Sequence, residues 1–175
     1  MEPIDAITAL GRLLRDGRLR DAYATEPRGT LGELGVVEAE RHALLSLDPA
    51  SLEFQAQILL RKRFETISRL VPLTLANLGE RGWPLFAEYA RSRWPGGKTP
   101  ALEDVDQFTR RLRETNPQAL SMSEQNRLRF ALSRASLSVC FALDLPFRGR
   151  RRAGLQVFVR RQAGPWRELV LHLAF

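Results

Sequence analysis

Cysteine and histidine are nearly absent: Cys140, His42 and His172 are the whole inventory of a 175-residue chain. One thiol excludes a disulfide within the chain and suits a reducing compartment. A zinc or transition-metal site needs three or four converging ligands, and these three residues are far apart in sequence. Cys140 lies in Leu137-Ser138-Val139-Cys140-Phe141-Ala142-Leu143, the setting of an inert buried thiol rather than a nucleophile. A glycine-rich phosphate loop is missing too. Pro95-Gly96-Gly97-Lys98-Thr99 has the lysine and threonine of one but neither its first glycine nor the apolar strand that precedes it, so it reads as a turn. No apolar run approaches the ~20 residues that cross a bilayer. The first fourteen residues carry Glu2 and Asp5 and resemble neither a secretory signal nor a transit peptide. The expectation is a cytoplasmic protein with no membrane partner, no catalytic residues and no cofactor of its own: a binding or accessory subunit.

Charge is plentiful, with 27 basic residues against 20 acidic ones. The net charge is +7, and of 27 basic residues only Lys62 and Lys98 are lysine, which leaves 25 arginines. Most alternate with acids along helices, as in Arg12, Arg15, Asp16, Arg18, Arg20 and Asp21, the pattern of a solvated face. The exception is Arg148-Gly149-Arg150-Arg151-Arg152, an unbalanced cluster with Arg160 and Arg161 at the far end of the segment it introduces. An acidic visitor fits there, and nucleic acid is the weaker candidate because the remaining arginines are balanced.

The hydrophobic pattern predicts an α+β fold. Ile4, Ile7, Leu10, Leu13 and Leu14 open an amphipathic helix, and Asp48-Pro49 starts the longest one, with Asp as N-cap and Pro at its first position. Pro72 restarts that helix, Gly79 caps the next, Trp83-Pro84 opens another, and Ser123 is expected to cap a last one. Then the period changes from helical to two. Leu155, Val157 and Val159 share one face of an extended segment, and Leu169, Leu171, Leu173 and Phe175 one face of the next, with Gln162-Ala163-Gly164-Pro165 as the turn. Leu137, Val139, Phe141, Leu143 and Leu145 alternate in the same way, and although the preceding helix could extend into residues 136–147, a strand there supplies the third strand the hairpin needs. The expected organisation is a helical domain over 1–116, then 117–175 as a helix plus a small C-terminal antiparallel sheet of about three strands, since a lone hairpin is only marginally stable.

Two stretches resemble known families. Residues 58–112 carry Arg63-Phe64, Leu70-Val71-Pro72, Leu78-Gly79, Leu85-Phe86, Tyr89, Trp94-Pro95, Val105, Phe108 and Leu112. They resemble the helical domain, labelled DNA-binding, of the partner subunits of multinuclear non-haem iron-dependent oxidative enzymes that make ribosomal peptide natural products, the methanobactin-type partner family. Trp94-Pro95 stands where that family often has His-Pro-Pro. Residues 10–52, with Glu26-Pro27, Leu34-Gly35, Glu38-Ala39-Glu40, Leu44-Leu45 and Asp48, are similar to the helical module of the small subunit of extradiol ring-opening dioxygenases.

The first resemblance implies a helical domain followed by a small sheet. It implies a heterodimer with an iron-dependent oxidative enzyme that holds the metal, and a ribosomally made precursor peptide, modified at cysteine, whose leader lies on the sheet. A strand edge flanked by arginines suits capture of an extended acidic peptide by strand addition. The expected peptide-binding residues are Leu155, Val157, Val159, Leu169 and Leu171, with Arg150, Arg151, Arg152, Arg160 and Arg161. Two alternatives stand beside this reading. One is a DNA-binding regulator, for which Gln125, Asn126, Arg127 and Arg129 form the best recognition cluster. The other is the small subunit of an extradiol dioxygenase.

Overall fold

Asp48 caps the longest helix as its sequence requires: its carboxylate accepts the backbone N–H of Ser51 at 2.9 Å and of Ala50 at 3.3 Å, and Pro49 begins the first turn. The structure is a computed structural model and describes residues 3–160 and 165–173. It is α+β, with helices followed by a three-stranded antiparallel sheet. The chain divides into two compact units, residues 1–65 with 83–96, and residues 66–82 with 97–175.

The first unit holds α1 (Ala6–Arg15), α2 (Gly17–Thr25), α3 (Pro27–Glu33), α4 (Glu38–Leu45), the first part of α5 (Pro49–Leu70) and most of α6 (Gly82–Ala90, after the intervening helix Pro72–Leu78 of the second unit). Its core joins Ala9, Leu13, Tyr23, Leu31, Val36, Leu44 and Leu52. Pro27 does more than end α2: it opens α3 at the position where its missing N–H costs nothing. Two polar groups are buried with partners. The Tyr23 hydroxyl donates to the Leu44 carbonyl at 2.6 Å. Arg20, 4% exposed, donates to the carbonyls of Leu13 and Leu14 and to Glu53 at 2.7 Å. Phe64, Trp83, Phe86 and Tyr89 form an aromatic cluster with ring centroids 5.4 to 5.9 Å apart, and Arg61 lies 3.8 Å over Trp83.

The second unit contains the Pro72–Leu78 helix, α7 (Pro100–Thr115), α8 (Met122–Leu132), β1 (Leu137–Phe147), β2 (Arg150–Val159) and β3 (Arg167–His172). Gly79, at φ 57°, ends the first of these helices in a conformation that favours glycine. The cap of α8 is Ser121 rather than Ser123: the Ser121 hydroxyl accepts the Glu124 N–H, and both serines are buried. Val105, Phe108 and Leu112 on α7, Leu128 and Phe130 on α8, and Ala142, Leu145 and Phe158 from the sheet are buried.

The expected division lay at 116/117, and the two compact units are composed of other segments. Residues 66–82 and 97–116 belong with the sheet, and the long-range bonds say why. The Glu124 carboxylate accepts the backbone N–H groups of Leu73 and Thr74, the Ser121 N–H donates to the Thr74 hydroxyl at 3.0 Å, and Asn77 donates to the Ala119 carbonyl at 2.9 Å.

Candidate protein-interaction site: the three-stranded sheet

The strand order is β1-β2-β3, so β2 is central and β1 and β3 are the edges. Of the two strands on which an added peptide could pair, Leu155 to Arg161 or Arg167 to Leu173, the first is central over Leu155 to Val159 and pairs with β1 on one side and β3 on the other. Phe147 pairs with Arg150 across a two-residue turn, Arg148-Gly149, with φ 46° and 76°. Positive φ at both positions is the twist that matches a hairpin. Part of the arginine cluster is thus turn chemistry. The second turn, expected over Gln162-Ala163-Gly164-Pro165, lies largely outside the described residues, as do Arg161 and Phe175.

The register brings the apolar residues into rows. Val139 faces Val157, which faces Leu169; Phe141 faces Leu155, which faces Leu171; Leu137 faces Val159. Leu155, Val157, Val159, Leu169 and Leu171 thus share a face as expected, together with four β1 residues read before only as a supporting strand. That face does not pack on the helices. Leu137, Val139, Phe141, Leu143, Leu169 and Leu171 are 47% to 60% exposed, and the β2 residues between them are half-buried by their neighbours.

The helix-facing side is the more polar one. Gln156, fully buried, accepts from Asn126 Nδ2 at 2.9 Å and donates to the Ser123 carbonyl at 3.2 Å and to Glu168 at 2.8 Å. Asn126 also donates to the Phe141 carbonyl, and Arg127 closes the network on Glu168 at 2.6 Å. Phe130 stacks on Phe158 beside it, centroids 5.2 Å apart, with Trp166 edge-on to both. Gly154 is confined to glycine, since a Cβ there would lie 2.4 Å from the Leu171 carbonyl oxygen.

A β-bulge separates the two halves of β1. Ala142 pairs with Gly154 and Leu145 with Arg152, so β1 has one more residue than β2 between these pairs. The extra residue reverses the alternation: Leu143 points out, whereas Leu145, expected on the same face, is fully buried on the other. The bulge also aims Asp144 at α8, where its carboxylate accepts the Ser123 N–H at 2.9 Å.

The arginines take different roles. Arg160, expected among the peptide contacts, caps a helix: its guanidinium donates to the carbonyls of Phe130, Ala131 and Ser133 at the end of α8, at 2.6 to 3.3 Å. Arg151 donates to Asn77 at 2.9 Å and Arg152 lies 4.9 Å over Phe147, while Arg150 is exposed beside the turn. Of the cluster considered for DNA, Asn126 is buried and Arg127 holds Glu168, which leaves Gln125 and Arg129 outward. The four side chains do not form one recognition face.

Asp104-Val105-Asp106 on α7 is a D-x-D pair of carboxylates. Alternate residues on a helix point to different sides, and here Asp104 is buried while Asp106 pairs with Arg110 at 2.9 Å. Among the described residues no three His, Cys, Asp or Glu side chains gather as metal ligands, and no helix is long and apolar enough to cross a membrane. Cys140 is half-buried, 3.4 Å from the Ser138 hydroxyl.

The model of one family, SCO6045-like, C-terminal domain, matches residues 38–114, less than half the chain. The match ends before α8 and the sheet, so the apolar face lies outside it. No curated protein and no solved structure matches.

Proposed function

We propose that this chain is a non-catalytic, cytoplasmic partner subunit. It pairs as a heterodimer with an iron-dependent oxidative enzyme and presents a ribosomally made precursor peptide for modification at cysteine. The observation that carries the reading is the outer face of the sheet. Antiparallel sheets with one face in water normally make that face polar. Here it is apolar across three strands and flanked by two free edges, the combination that seats another protein chain. The resemblance of residues 58–112 supplies the class of partner, and iron belongs to that partner.

The peptide's place is the β1 edge. The regular part of β1, Leu137 to Ala142, carries the exposed Leu137, Val139 and Phe141 along that edge. Main-chain pairing there gives affinity, and alternate side chains rest on the apolar rows.

Tagged chain co-expressed with a multinuclear non-haem iron enzyme of that class should co-purify with it, and precursor peptide should bind the pair. Val139→Pro and Cys140→Pro separate edge pairing from fold, because successive residues of an edge strand turn their N–H groups to opposite sides. One of the two variants should keep its circular dichroism and lose the peptide. Retained peptide binding in both folded variants, or a chain that brings down no iron protein, overturns the reading.

A further inference from the structure

The cleft between α7 and α8 is lined by Thr109, Arg110 and Arg113 on one helix and Gln125, Leu128 and Arg129 on the other, with Asp106 at its side, and encloses about 380 Å³. Its charge is not balanced from within. Arg110 is held by Asp106 at 2.9 Å. Arg113 reaches across to Gln125 at 2.9 Å, but that partner is a neutral amide oxygen. Arg129 has no hydrogen-bond or ion-pair partner for its guanidinium among the described residues. Other guanidiniums that point into structure are matched differently: Arg20 with Glu53, Arg91 with Asp21 and Glu53, Arg127 with Glu168, Arg160 with helix carbonyls. Like charges brought together on neighbouring helix positions repel one another, and the buried Val105, Phe108, Leu112 and Leu128 fix the two helices that carry them.

From this geometry we infer that the cleft between α7 and α8 binds an oxyanion, a carboxylate or phosphate group, between the guanidiniums of Arg113 and Arg129. A planar guanidinium offers paired N–H donors that match two oxygens of such a group, and the donors of Arg113 not used by Gln125 are free to turn toward it. The volume admits a small ligand or one acidic side chain with its backbone. The Asp106–Arg110 pair sets the limit of the site: the Asp106 carboxylate repels an anion placed near it, so the ligand sits toward the Arg113 and Arg129 end. This site lies on helices of the second unit and does not depend on what covers the sheet.

The test is a titration of the ¹⁵N-labelled full chain at low ionic strength, in separate arms with inorganic phosphate and with an acetylated tetraglutamate peptide. Saturable shifts should be confined to residues 106–113 and 125–129. Saturation by phosphate identifies a small oxyanion as sufficient; saturation by the peptide alone identifies an acidic protein segment. Arg113→Gln and Arg129→Gln should each weaken binding about tenfold, as loss of a charge-assisted paired contact does. Arg148→Gln, at the hairpin turn, should leave it unchanged. Arg113 and Arg129 are exposed, so both variants should keep the wild-type melting temperature. Shifts spread over arginines throughout the chain, failure to saturate in both arms, or wild-type affinity in folded Arg129→Gln overturns the inference.

Discussion

Asn126 of α8 and Gln156 of β2 share a 2.9 Å hydrogen bond on the covered side of a sheet whose open side is hydrocarbon. The polar groups are inside and fully engaged. Asn126→Ala removes the donor to both Gln156 and the Phe141 carbonyl and leaves buried acceptors unpaired, which costs ~1–3 kcal/mol. Urea unfolding should show that loss. The double variant Asn126→Ala/Gln156→Ala should cost less than the sum of the single ones, because each removes part of the same network.

The outer face should behave in the opposite way. More than half of Val139 and of Leu171 is already in water, so Val139→Thr with Leu171→Thr should cost less than about 1 kcal/mol per site. The same variant should be more soluble than wild type, and should lose co-purification with the proposed iron-enzyme partner. Wild-type partner capture by the folded variant would remove this face from the interface.

Two carboxylates give pH dependences of opposite sign. Burial raises the Glu124 carboxyl above the ordinary glutamate value, and its bonds from Thr74 and from the Leu73 and Thr74 N–H groups do not cancel that effect. The native state then holds a proton that the unfolded chain has released, so the stability this contributes is complete below the ordinary value and is lost as pH rises through the raised one. For Glu53, burial pushes upward, but hydrogen bonds from Arg20 and Gln57 and the charges of Arg20 and Arg91 outweigh it and lower the value. That contribution is present above the ordinary value and is lost as pH falls through the lowered one. Measured across the acid-to-neutral range, the advantage of wild type over Glu124→Gln should shrink as pH rises, and its advantage over Glu53→Gln should grow.

Arg160 and the turn arginines should separate cleanly. Arg160→Ala strips the donors from the carbonyls of Phe130, Ala131 and Ser133, and charged hydrogen bonds of this kind contribute ~1.5–3 kcal/mol. Arg150→Ala should stay within about 0.5 kcal/mol of wild type, as surface changes do. Thermal melts at low and high salt should show the Arg160 loss at both.

The fold was legible where local chemistry decides it. Asp48-Pro49, Pro72, Gly79 and Asn116-Pro117 each place a helix boundary through their own backbone restrictions, and alternation marks the strands, with β1 the one that a longer α8 could have replaced. What the sequence does not carry is which side of a strand meets the helices. The spacing of Leu155, Val157 and Val159 puts them on one face and marks them as candidates for binding a peptide, but it does not say that Gln156 and Phe158 between them are the buried ones. That choice depends on Asn126, Ser123 and Phe130, about thirty residues earlier in the chain. The same distance hid the cap formed by Arg160, which in sequence looked like one more cation of a basic patch.

The bulge at Leu143-Asp144 has a consequence for any chain laid along β1. From Leu137 to Ala142 the pairing is regular, and beyond it the backbone kinks toward the start of α8, where Asp144 is fastened to Ser123. An incoming strand therefore finds about six residues of straight edge, roughly 20 Å at the rise of an extended chain. With alternate positions facing outward, that length reads about three side chains of the visitor and no more. Under the proposed edge pairing the bulge is a length gauge: it limits how long a paired sequence this edge can take, independently of which residues that sequence contains.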